Sequence, residues 1–244
     1  MRVAIVSDLH ANLPAFEAVL AHAERGGRVG ALWCLGDIVG YGPHPNECIA
    51  RLRAYEHRAI AGNHDLAASG RMGAQEFNDA AAAAVSWTAR QLSGAARAYL
   101  EALPMVLTEG DFTLVHGSLR WPAWEYLLSS EQAQAHLELQ GTPYGLVGHS
   151  HLPFVCEEVE PAPPHLRPTT DGERVGLGER RMILNPGGAG QPRDGDPRAC
   201  YALYDNDDRS VTYHRIEYDI EATQRDMEAA GLPRWLIERL AQGR

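Results

Sequence analysis

The stretch Val3-Ala4-Ile5-Val6-Ser7-Asp8-Leu9-His10 constrains this chain most: an apolar run ends abruptly in a carboxylate and an imidazole. Such a run, with Asn12 and Pro14 just beyond it, predicts a central strand of a parallel sheet covered on both faces. Nothing polar belongs there except at the tip. Where the strand ends the chain leaves the sheet, and open α/β sheets place their ligands in that crevice. On an extended chain Asp8 and His10 point the same way and can hold one ion. Taken alone, an Asp-x-His after a strand is more often a loop with a helix cap, so recurrence has to decide.

The pattern recurs four times. Ala31–Leu35 reads as a second buried strand and ends in Gly36-Asp37. His57–Ala61 ends in Gly62-Asn63-His64-Asp65, Phe112–Val115 in His116-Gly117-Ser118, and Tyr144–Val147 in Gly148-His149-Ser150-His151. Between them, Phe16, Val19, Leu20 and Ala23 fall at helical spacing, with Asn12 as cap and Gly26-Gly27 as stop. A helix is expected from about Asn46 to Arg53, and an alanine-rich helical region from Ala80 to Leu103 interrupted near Ser93-Gly94. Pro161, Pro163, Pro164 and Pro168 make 159–178 a surface excursion between sheet strands. Arg180–Leu184 is a strand ending in Asn185-Pro186-Gly187-Gly188. Ala199–Tyr204 and Ser210–Ile216 flank Asp205-Asn206-Asp207-Asp208 as a hairpin. From Asp219 the chain reads as two helices broken at Gly231-Leu232-Pro233.

With 244 residues and no linker, one domain spanning 1–244 is expected, with 216–244 as its helical tail. The charge balance, 22 Lys+Arg against 32 Asp+Glu, repels polyanions beyond a Debye length of roughly 8 Å. Non-specific nucleic-acid binding is therefore not expected, and a phosphate-bearing ligand needs a local positive charge. Cys34, Cys48, Cys156 and Cys200 form no CxxC pair, which argues against a zinc ribbon or a disulfide framework and fits a reducing cytoplasm. No apolar stretch is long enough for a membrane span, and no signal peptide is read.

Collected, the strand-end groups are Asp8, His10, Asp37, Asn63, His64, His116, His149 and His151, all oxygen or nitrogen donors. That set suits five- or six-coordinate Mn, Fe, Co, Ni or Zn and excludes a thiolate site. It is too large for one ion with open positions and about right for two. Two ions roughly 3.5 to 4 Å apart, sharing a carboxylate, form a clamp for phosphoryl transfer. The other histidines, His22, His44, His57, His136, His165 and His214, read as surface or loop residues. Trp121, Trp124 and Tyr126 suit core packing better than stacking on a base at the rim.

In this order, Asp8-x-His10, Gly36-Asp37, Gly62-Asn63-His64-Asp65, His116 and Gly148-His149-Ser150-His151 resemble the motifs of the calcineurin-like metallophosphoesterase superfamily. Gly36-Asp37-Ile38-Val39-Gly40-Tyr41-Gly42-Pro43, Asn185-Pro186-Gly187-Gly188 and Gly190-Gln191-Pro192-Arg193-Asp194-Gly195 resemble its small bacterial members. The resemblance runs from residue 1 to about 216. It implies a four-layer α/β/β/α sandwich with the metal site at the C-terminal ends of the strands. It further implies two divalent ions, Mn foremost with Fe, Zn, Ni, Co or Mg as alternatives: Asp8, His10 and His151 for the first, Asn63, His116 and His149 for the second, Asp37 between them. A metal-bridging hydroxide would attack phosphorus. His64 would then protonate the leaving oxygen or stabilise the transferring group, with Asp65 orienting it.

One departure bears on the substrate. The superfamily's protein phosphatases follow the bridging Asp with a phosphate-gripping Arg, whereas Ile38-Val39 follow Asp37 here. That favours small phosphodiesters or nucleotides over the phosphomonoesters of a Ser/Thr protein phosphatase. Arg193 or Arg120 is left to supply a substitute contact. A non-catalytic scaffold of this fold would need neither seven ligands nor an acid. The expected partner is a small phosphate ester, with no membrane, and a homo-oligomer stays compatible with the chain.

Overall fold

A computed structural model of the chain describes residues 1–159 and 161–244; Glu160, inside the expected excursion, lies outside the described residues. In chain order the elements are β1 (Arg2–Val6), α1 (Leu13–Arg25), β2 (Ala31–Cys34), α2 (Pro45–Arg53), β3 (His57–Ala59), α3 (Asn63–Ser69), α4 (Asp79–Gln91), α5 (Gly94–Ala102), β4 (Val106–Glu109) and β5 (Phe112–Val115). They continue as α6 (Ser130–Leu139), β6 (Tyr144–Leu146), β7 (Phe154–Glu157), β8 (His165–Pro168), β9 (Arg174–Gly176), β10 (Met182–Asn185), β11 (Ala199–Asp205), β12 (Ser210–Ile216), α7 (Ile220–Ala229) and α8 (Arg234–Leu240).

The strands form two six-stranded sheets, β3-β2-β1-β11-β12-β9 and β4-β5-β6-β10-β7-β8. In β1 the side chains divide by alternation. Val3 and Ile5 join Trp33, Phe112, Leu114, Tyr144 and Leu184 between the sheets. Ala4 and Val6 face the helices, with Phe16, Val19, Leu20, Ile49, Leu52 and Leu100. On the far side, α6 covers the second sheet through Ala133 and Leu137 against Val115, Val147 and Ile183. Burial of each large apolar side chain stabilises this α/β/β/α arrangement by about 1.5–3 kcal/mol. Both faces of β1 are dry, which is why its sequence is apolar without interruption.

The sheets are mixed, not parallel: β1 runs parallel to β2 and antiparallel to β11. The hairpin β11–β12 inserts itself beside the first strand, a pairing no local pattern announces. The proline-bearing excursion also carries two short strands. β8 closes the edge of the second sheet and β9 the edge of the first, positions where a proline such as Pro168 leaves no ladder bond unmade in the sheet interior. No helix among the described residues is long and apolar enough to cross a membrane.

His136 is a correction. Expected at the surface, it is fully buried on α6, where its Nδ1 accepts from the Leu119 N–H at 3.2 Å. Burial pushes it down to about 4. The unfolded chain therefore binds a proton between pH 6.5 and 4 that the fold refuses, so stability falls as pH falls through that window. Between pH 7 and 4 the wild type is expected to lose about 3 kcal/mol more than His136→Gln, measured by urea unfolding of both proteins. Equal losses would show that the imidazole protonates freely in the fold.

Candidate metal centre

The ends of β1, β2, β5 and β6, with the start of α3, converge on one point. Backbone bonds hold the loops there: Asp8 N donates to Gly36 O at 3.0 Å, His10 N to Asp37 O at 2.9 Å, and Gly148 N to His116 O at 2.8 Å. The Gly187–Gly190 turn joins them, Gly190 N donating to Asp8 O at 2.9 Å. A Cβ at Gly190 would lie 1.8 Å from the Leu9 carbonyl oxygen, so this approach needs glycine. Of eight non-glycine residues with left-handed backbone among those described, seven sit here: Asp8, His10, Ala11, Asp37, Tyr41, His149 and His151. Strain of this kind, about 1–3 kcal/mol each, gathers where function over-determines geometry.

Four imidazoles share one arrangement. His10 Nδ1 faces the Val39 carbonyl at 3.3 Å, His116 Nδ1 the Leu35 carbonyl at 2.7 Å, His149 Nε2 the Trp124 carbonyl at 3.2 Å, and His151 Nδ1 the Gln191 carbonyl. A carbonyl only accepts, so each of those nitrogens carries the hydrogen, and in the neutral ring the opposite nitrogen presents a lone pair. These lone pairs face one another: His10 Nε2 and His151 Nε2 are 3.3 Å apart, His116 Nε2 and His149 Nδ1 3.1 Å. Asp8 Oδ1 lies 3.1 Å from His151 Nε2, and Asp37 Oδ2 lies 3.4 Å from His116 Nε2 and 3.7 Å from His10 Nε2. Asp8 Oδ1, Asn63 Oδ1 and His64 Nδ1 are buried without a hydrogen-bond partner. Acceptors turned on acceptors repel unless a cation or a proton lies between them. The donor set thus fits divalent ions.

Electrostatics agree. Burial holds His10 well below the usual imidazole range and pushes His64 down to about 4 and His149 to about 3. Burial acts against ionised Asp37 too, yet His116 and His64 hold its carboxyl well below the usual range. His116 is the exception: against the effect of burial, the Asp37 carboxylate raises it to about 9.

Asp37, Asn63, His64, His149 and His151 line a cavity of about 80 Å³, with Tyr41, Phe77, Trp124 and Tyr126 as aromatic walls. Asp8, His10, Asp37, His116, His149 and His151 meet in overlapping groups whose donor atoms lie within 4.8 Å, and Asn63 lines the same cavity. Three other expectations fail. Asp65 does not orient the His64 ring: as the third residue of α3 its carboxylate accepts from Gly62 N at 3.0 Å and Val39 N at 3.1 Å, which fixes the loop backbone. Arg120 is spent on Glu125, which also accepts from Ser118 Oγ, and lies away from the cavity; Arg193 lines it. Tyr126 is not core: 40% exposed, it stacks on His149 with ring centroids 4.0 Å apart. His44, the loop histidine nearest in sequence to Asp37, pairs with Asp226 of α7 at 3.2 Å. The carbonyls of Leu35, Val39, Trp124 and Gln191 were invisible to side-chain reasoning.

Two stacked sheets carrying Asp, His and Asn donors at their strand ends define a dimetal phosphoesterase class of fold and site. The profile of the calcineurin-like phosphoesterase superfamily domain matches residues 1–209, and the chain belongs to that superfamily of metal-dependent phosphoric ester hydrolases. A crystal structure of a metallophosphoesterase from Sphaerobacter thermophilus is 47% identical, with TM-score 0.90 over 100% of this chain and 99% of that one. An uncharacterized protein of Methanocaldococcus jannaschii, MJ0912, is 34% identical over 250 residues, covering 99% of this chain and 98% of its own. A hypothetical protein from Pyrococcus horikoshii, PH1004, shares the fold at 23% identity and TM-score 0.81, covering 100% and 98%.

Proposed function

We propose that the chain is a phosphodiesterase acting on small phosphodiesters or nucleotides through two divalent ions, Mn foremost. Asp8, His10 and His151 would hold one ion and Asn63, His116 and His149 the other, with Asp37 available to both. The observation that carries this reading is the position of Asp37, whose Oδ2 faces His10 on one side and His116 on the other. Bound there, two divalent ions activate water and neutralise charge on the phosphoryl oxygens. The chain does the rest. Asp37 Oδ1 accepts from the His64 N–H at 2.9 Å, which sets the His64 ring against the cavity. The His64 ring, which lines the cavity, is left to act on the leaving oxygen. The aromatic walls limit water and orient the ester.

Preference for diesters rests on Ile38 and Val39, both fully buried where a protein phosphatase places its arginine. Phosphomonoester hydrolysis is the second reading, and Arg193 at the cavity is the observation in its favour. Hydrolysis of bis-p-nitrophenyl phosphate and p-nitrophenyl phosphate, with metal stripped and Mn restored, separates them. Metal-dependent cleavage of the diester well above the monoester is the expected result. Preference for the monoester selects the second reading, and metal binding without turnover of either removes both.

A further inference from the structure

Resting on the phosphoesterase reading, we infer that Arg193 and the Tyr41 hydroxyl grip a non-bridging phosphoryl oxygen, and that Gln191 is the positioning residue that aims them. All 22 basic residues are arginines, and among the described residues lining the cavity Arg193 alone carries a positive charge. Arg51, Arg58, Arg174 and Arg198 pair with carboxylates, as a chain of net charge -10 makes easy. Arg193 forms no ion pair among the described residues. Its Nε donates to Gln191 Oε1 at 3.2 Å, and Nη2 lies 3.5 Å from the Tyr41 hydroxyl. Neutral partners fix the guanidinium without neutralising it, which leaves its charge and remaining donors for an anion.

Tyr41 stands where this charge is needed. Its ring lies 4.4 Å from the rings of both His10 and His64, and its φ of 57° is a conformation that non-glycine residues seldom adopt. That backbone turns the phenol to the cavity from the same loop that begins at Asp37.

Gln191 connects three things and is only 2% exposed. Its backbone carbonyl accepts from His151 Nδ1, its Oε1 accepts from Arg193, and its Nε2 donates to the Arg244 carbonyl. Arg239, 4.3 Å above the Trp235 ring, donates to that same carbonyl and fixes it. α7 and α8 thus brace the amide: Met227, Leu236 and Leu240 pack with Tyr41. Because the His151 contact is made by backbone, a change of the Gln191 side chain disturbs the grip and spares the metal donors.

The test is titration of inorganic phosphate into the Mn-loaded protein, beside KM, kcat and Mn content. Arg193→Met is expected to weaken phosphate about 10- to 100-fold and raise KM, with Mn content unchanged. Arg193→Lys, which keeps charge and loses the fork, is expected to fall between. Gln191→Leu should weaken phosphate about 3- to 10-fold. Gln191→Glu should weaken it more, since its carboxylate would neutralise the guanidinium, an order that a purely structural amide would not produce. Wild-type phosphate affinity and KM in both Arg193 variants would overturn the grip. Unchanged affinity in the Gln191 variants, or a larger loss in Gln191→Leu than in Gln191→Glu, would overturn the positioning role. Phosphate binding that depends on Arg193 in a protein turning over neither ester would uphold the grip and sink the phosphoesterase reading.

Discussion

Asp37→Ala is expected to abolish phosphoester hydrolysis, by about 1,000-fold or more, and to remove most divalent-metal binding. The carboxylate has three neighbours at once: Oδ2 faces His116 Nε2 and His10 Nε2, and Oδ1 takes the His64 backbone N–H. Among the described residues no other acidic side chain pairs with imidazoles of both groups. Its loss also leaves His116 without the partner that raises it to about 9. Metal content after dialysis and turnover of bis-p-nitrophenyl phosphate check this together. Turnover retained with a single ion bound would show that the two halves work independently and that Asp37 is not shared.

The second large effect belongs to His64. Its ring is buried, packs edge-on to His10 and Phe77, and its Nδ1 has no partner. His64→Gln is expected to keep both ions and slow cleavage about 10²- to 10⁴-fold, most for poor leaving groups. A series of aryl phosphodiesters of differing leaving-group pKa measures this as a steeper dependence of rate on leaving-group basicity. Equal slopes and rates in wild type and variant would reduce the imidazole to packing. Asp65 has no part in that slope, because its carboxylate holds Gly62 and Val39 in place; its substitution acts on the loop and so on stability.

How far the sequence carries depends on the range of the interaction read. The donors at strand ends were legible because each follows a run that must be buried, and a polar group there is costly unless something binds it. The helices over 13–25, 45–53 and 79–102 were legible for local reasons too, apolar spacing with the Asn12 cap in the first and alanine content in the last, where Ser93, read as an interruption, caps the helix Gly94–Ala102. His136 misled because a histidine in a polar helix gives no sign that the face beneath it will be covered. Arg193 and Arg120 looked equivalent as isolated charges, and only Glu125, five residues from one and remote from the other, separated them.

By itself, then, the sequence determined the donor inventory, the strand ends that carry it and the superfamily, since all three are written in local order. Tertiary structure alone decided which nitrogen of each imidazole faces inward, which arginine reaches the cavity, and how the last two helices close on Tyr41. Those outcomes depend on backbone carbonyls and left-handed turns supplied by distant segments. A carbonyl is present at every residue, so no residue type marks where it will be used.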